Sequence, residues 1–169
     1  MAQVIESDVK AFRADFGGTV LAPGDAGYDQ ARSIWNGDID KRPAVVARCA
    51  TSADVAAAIR FARAQDLEIA IRGGGHSPSG ACLVDGGLVI DLTQMNEVLV
   101  DPAARRAIVG GGASLAQLDA ATQAHGLAVP AGTVSHTGVA GLTLGGGAGW
   151  LTARAGLSID NLVSAEVVT

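Results

Sequence analysis

Glu68-Ile69-Ala70-Ile71-Arg72-Gly73-Gly74-Gly75-His76-Ser77-Pro78-Ser79-Gly80 is the stretch from which the fold of this chain can be read. A short apolar run enters a glycine turn, and a histidine stands where the glycines end. Glycine tolerates positive φ and brings bare backbone N–H groups together, so such a turn can hold an anion. A histidine beside it can serve as ligand, base or nucleophile. Upstream, Ala44-Val45-Val46-Ala47-Arg48 reads as a strand, and Thr51 with Asp54 gives an S/T-x-x-D/E helix start. Val55, Ala58, Ile59 and Ala62 then fall on one helical face. With Glu68–Ile71 as the next strand, the segment is a β-α-β unit whose turn lies at a strand's carboxyl end, where α/β sheets commonly bind ligands.

Before this unit, residues 1–41 read as a polar lead-in, with one helix over Ser7–Phe16 and a loop through Pro23, Gly24 and Gly27. After it, Gly87–Leu92, Glu97–Val100 and Ala107–Val109 read as strands bounded by turn residues. Ser114 and Gln117 form a capping box for a helix carrying Leu115 and Leu118 and ending near Gly126. The closing run Leu162-Val163-Ser164-Ala165-Glu166-Val167-Val168-Thr169 reads as a strand with no turn after it, which predicts a fragment of a longer protein.

A second glycine cluster separates that helix from the closing run. From Gly132 to Gly149, seven of eighteen residues are glycine, interleaved with Val139, Leu142 and Leu144 rather than with the serines of a flexible linker. The pattern suits an ordered backbone packed against something flat, such as a cofactor, or a turn-and-bulge region within a sheet. The common nucleotide motifs fail. G-x-G-x-x-G breaks at Pro78 after Gly73 and Gly75, and at Trp150 after Gly145 and Gly147; no Gly-Lys-Ser/Thr occurs. His76, His125 and His136 are far apart and form no metal-ligand spacing, so no metal is expected. His125 suits a helix end, and His136 reads equally as a site residue or an exposed loop histidine. G-x-S-x-G is absent.

Composition narrows the partners. Of 169 residues, 49% are hydrophobic and 17% charged, which supports a globular core. The net charge of −5, without any lysine or arginine block, argues against nucleic acid and anionic membrane as partners. No window approaches a membrane span of roughly 20 apolar residues, and the charged first twenty residues hold no signal-length apolar core. Cys49 and Cys82, outside any C-x-x-C pair, suit free thiols in a reducing cytoplasm.

Three ordered motifs carry a family resemblance. Arg72-Gly73-Gly74-Gly75-His76-Ser77 resembles the R-(S/G)-G-G-H-(S/N) loop of FAD-linked oxidases of the berberine bridge enzyme-like group, within the vanillyl-alcohol oxidase/p-cresol methylhydroxylase (PCMH) superfamily. Ala131–Gly147 resembles that family's second flavin segment, and Gly156–Val168 the strand that follows it. The similarity runs from about Arg42 to the end.

The resemblance implies an α+β fold: a PCMH-type FAD-binding domain of two small α/β subdomains with FAD between them, over residues 42–169, incomplete at its C-terminus and without the substrate domain. It implies cofactor contacts from Arg72, Gly73, Gly74, Gly75, His76 and Ser77 in the first loop. In the second they would come from Gly132, Thr133, Val134, Thr137, Gly138, Gly141, Leu142 and Gly145. It further implies a covalent bond between His76 and the flavin ring methyl. Many members add a cysteinyl link at the position of Val134, which has no thiol, so a single histidyl link is expected. Leu142 stands where plant members often carry histidine. No catalytic base is assignable. The implied activity is a flavin-dependent oxidase that takes hydride from a small organic substrate and passes electrons to oxygen. A flavin- or nucleotide-binding module without turnover, or a structural α+β domain, are the alternatives. Oligomeric state is not legible.

Overall fold

The computed structural model describes residues 5–169. A four-stranded sheet in the order β1-β2-β4-β3 is built from β1 (Thr19–Leu21), β2 (Val45–Arg48), β3 (Ile69–Arg72) and β4 (Leu88–Asp91). β2 and β3 both run parallel to β4, while β1 pairs antiparallel with β2. The expected β-α-β unit is present, with β4 inserted between its two strands. That register brings Arg48, Asp91 and Arg72 level at the carboxyl ends of three parallel strands.

β2 and β4 are apolar along their length because both of their faces are covered, whereas edge strand β3 leaves Ile69 and Ile71 exposed. Val45, Ala47, Leu88 and Ile90 share one core with Val9, Phe16 and with Ala58 and Ala62 of helix α3 (Ser52–Ala64). Val46, Val89 and Ala70 share the other with Leu21, Tyr28, Ala31, Leu83 and Val84. α3 starts where the sequence predicts: the Thr51 side chain accepts from Asp54 N–H, and the Asp54 carboxylate accepts from Thr51 N–H at 2.9 Å. Helix α1 (Glu6–Asp15) stacks Phe12 on Phe61 of α3 with ring centroids 4.3 Å apart.

Residues 19–32 differ from expectation. They were expected as loop, yet they hold β1 and a short helix, α2 (Tyr28–Arg32). Burial of Val20, Leu21, Tyr28 and Ala31 against the sheet makes these elements, not any local periodicity. Tyr28 Oη donates to the Pro43 carbonyl at 2.7 Å, so the buried phenol is satisfied.

The second layer is a two-stranded antiparallel ribbon of β5 (Val98–Asp101) and β6 (Arg106–Val109), with helix α4 (Leu115–Gln123) packed on β5 and burying Leu115 and Leu118. The Ser114–Gln117 capping box forms as expected. After it come α5 (Val139–Leu144), α6 (Thr152–Ala155) and one 3-10 turn at Ile159–Asn161. The closing run from Leu162 forms no strand, contrary to its reading from sequence. Alternating apolar residues make a segment fit for a sheet, but a strand exists only by pairing, and none of the described strands pairs with it. Val163 and Val167 are exposed.

Candidate functional site

The first glycine loop leaves the end of β3 and is held from below. The Arg72 guanidinium lies under Gly75, whose φ is 68°, and its Nη1 donates to the Ala31 carbonyl. Arg72 Nε is buried and has no hydrogen-bond partner among the described residues. Ser77 Oγ accepts from Ala81 N–H at 3.0 Å and closes the far side of the loop.

The second loop, residues 132–138, rests on the start of α4. Leu115 N–H donates to the Thr137 carbonyl at 2.9 Å and Ala116 N–H to the Ser135 carbonyl at 2.8 Å. Gly132 has Leu142 against it, at 2.5 Å from where a Cβ would stand. The two loops then cross backbone to backbone. A Cβ on Gly74 would lie 2.4 Å from Gly138 N, and one on Gly73 would lie 3.0 Å from the Gly111 carbonyl oxygen. Glycine is required here by close approach, not by φ.

At this crossing the two loops present their histidines to each other. His76 Nε2 contacts His136 Nδ1, with ring centroids 4.5 Å apart. Trp35 stacks on the His76 ring with centroids 5.3 Å apart, and its backbone N–H donates to the Gly75 carbonyl at 3.0 Å. Burial, and then the charge of His136, hold His76 below the ordinary imidazole pKa, so its neutral form is favoured. Next to this cluster, Val134 is 45% exposed. Gly141 has open space where a Cβ would be, and Gly145 meets nothing there but carbonyls of its own helix, so α5 has a face without side chains.

The structure therefore gathers Arg72, Gly73, Gly74, Gly75, His76 and Ser77 with Thr137 and Gly138. Gly132, Thr133, Val134, Leu142 and Gly145 lie along the second loop and α5. Sequence reasoning left His136 undecided and missed Trp35. The available signal for Trp35 was scarcity: a chain with two tryptophans places one of them in a polar lead-in. His125 lies just beyond α4 and makes no contact with this cluster that the hydrogen bonds or ring pairs record. Among the described residues no group of three or more metal-ligating side chains exists.

A model of the FAD binding domain matches residues 43–169. The chain belongs to this family. As an FAD-binding domain it is 42% identical over 152 residues to the (R)-6-hydroxynicotine oxidase of Paenarthrobacter nicotinovorans, covering 90% of this chain and 33% of that protein. The crystal structure of 6-hydroxy-D-nicotine oxidase from Arthrobacter nicotinovorans superposes with a TM-score of 0.85 at 41% identity, over 86% of this chain and 32% of that one. Glucooligosaccharide oxidase from Acremonium strictum, whose structure is described as carrying a 6-S-cysteinyl, 8α-N1-histidyl FAD, matches with a TM-score of 0.84 at 30% identity, over 90% of this chain and 33% of that one. The chain spans about a third of the length of the curated relatives it matches.

The residues present suit the cofactor of an FAD-binding domain. The unpartnered Arg72 Nε–H is a buried cationic donor awaiting an acceptor. The side-chain-free face of α5 at Gly141 and Gly145 leaves room for a flat ring, and His76 is half-buried rather than sealed.

Proposed function

We propose that residues 42–169 form the flavin-holding unit of an FAD-linked oxidase, with a single covalent tether at His76. When bound, FAD supplies a two-electron acceptor, which this chain's residues have no means to provide themselves. The observation that carries the reading is the crossing of the two glycine loops, which places a neutral-favoured imidazole at a junction built of bare backbone. In this reading Arg72 and the N–H groups of Gly73–Ser77 hold the diphosphate. Gly132, Thr133, Thr137, Gly138, Gly141, Leu142 and Gly145 bound the ring. Val134 offers no thiol for a second tether. A small organic substrate gives up hydride, and oxygen takes the electrons. The two free thiols support a reducing, cytoplasmic setting, and no described helix is long and apolar enough to cross a membrane.

The test is to express the protein with FAD, denature it and image flavin fluorescence on the polypeptide band. The expected result is fluorescence that stays with the parent and is lost in His76→Ala. Complete release of flavin from the parent overturns the reading.

A further inference from the structure

We propose that His136 is a positioning residue for His76: it accepts the hydrogen on His76 Nε2, fixes the tautomer whose Nδ1 lone pair is free, and receives that hydrogen as the tether forms. The inference rests on the proposed tether at His76.

Two imidazoles that meet nitrogen to nitrogen can hydrogen-bond only as one donor and one acceptor. The meeting atoms are Nε2 of His76 and Nδ1 of His136. A neutral His76 that donates from Nε2 has its remaining lone pair on Nδ1. The opposite arrangement, with His136 donating, puts the hydrogen of His76 on Nδ1 and leaves no free nitrogen for bond formation. His136 is held opposite His76 by its loop, whose Ser135 and Thr137 carbonyls are both pinned to the first turn of α4. Trp35 steadies the ring from its own side, 18° from parallel with it and tied to Gly75.

The step balances as follows. A C–N bond forms between His76 Nδ1 and the ring-methyl carbon; one C–H bond of that methyl and the Nε2–H bond break. The two protons leave, the latter through His136 Nδ1, and the electron pair left on the ring system is taken by oxygen, giving hydrogen peroxide.

The experiment follows covalent flavin over time by denaturing-gel fluorescence in the parent, His136→Ala and His136→Gln, each supplied with FAD. Bound FAD before denaturation is measured alongside. Loss of a positioned proton acceptor is expected to slow tethering by about a hundredfold, with noncovalent FAD binding retained and with added imidazole restoring the rate of His136→Ala. Tethering at the parent rate in both variants overturns the inference while leaving the tether intact. Slow tethering that imidazole fails to restore also overturns it, since a structural role would give that result. Independently of any variant, NMR of the flavin-bearing peptide from the parent identifies the bonded ring nitrogen: Nδ1 is expected, and a bond through Nε2 overturns the inference. A parent without covalent flavin removes the proposed function itself.

Discussion

Gly138 occupies the space that a side chain on Gly74 would need: its N and Cα lie 2.4 and 2.6 Å from the Cβ position. The relation is mutual, since a Cβ on Gly138 would stand 2.4 Å from Gly74 N. Both contacts are to backbone, which cannot swing aside as a flexible side chain can. Gly74→Ala is therefore expected to push the loops apart, cost about 1–3 kcal/mol by overpacking, and separate His76 from His136. Urea denaturation checks the first effect and retention of FAD on gel filtration the second. Unchanged values for both would show that the loops have slack which the structure does not display.

Asp54 links the start of α3 to the chain before β1. One carboxylate accepts from Gly17 N–H at 3.2 Å, Ala50 N–H at 3.1 Å, Thr51 N–H at 2.9 Å and Thr51 Oγ at 3.0 Å, and the residue is 7% exposed. Asp54→Ala removes the capping box and leaves buried donors without acceptors, so a loss of about 1–3 kcal/mol is expected. Asp54→Asn, which keeps one acceptor oxygen, should recover part of it. Thermal melts of the two variants against the parent give the comparison.

Much of this was legible in the residues. Thr51 with Asp54 and Ser114 with Gln117 announce helix starts through side-chain hydrogen bonds that act within one turn, and both boxes formed. The unbroken apolar runs in β2 and β4 announce strands covered on both faces. What local pattern could not announce depends on distant partners. β1 and α2 exist because Val20, Leu21, Tyr28 and Ala31 find the sheet, and the run from Leu162 stays unpaired for want of a neighbour. The site follows the same rule. Glycine content flagged both loops, but His76 and His136 are 60 residues apart and only the crossing at Gly74 and Gly138 joins them.

The two cysteines should react very differently. Burial, then the negative charges of Asp54 and Asp91, push the Cys49 thiol up to about 12, and its side chain is fully covered. Cys82 is half-buried. Thiolate is the reactive form, so a maleimide reagent at neutral pH is expected to modify Cys82 alone in the native protein and both after denaturation. Peptide mass spectrometry reads the sites. Early labelling of Cys49 would mean that the core between β2 and α3 opens far more readily than its packing implies.

His76 gives the protein an acid-side signature before flavin is loaded. Burial and then His136 lower its folded-state pKa, so the unfolded chain binds that proton more readily than the folded one. The stability tied to neutral His76 is thus complete above the unfolded histidine value of about 6.5 and is lost as pH falls from there towards the lower folded value. Urea midpoints between pH 7.5 and 5 should therefore fall more steeply for the parent than for His76→Gln. His136→Ala removes the second of the two causes and leaves the first, so its His76 ring resonance should titrate at a higher pH than in the parent yet still below a free imidazole. A titration midpoint unmoved by His136→Ala would show that the two rings do not share charge, and would leave burial as the whole cause of the shift.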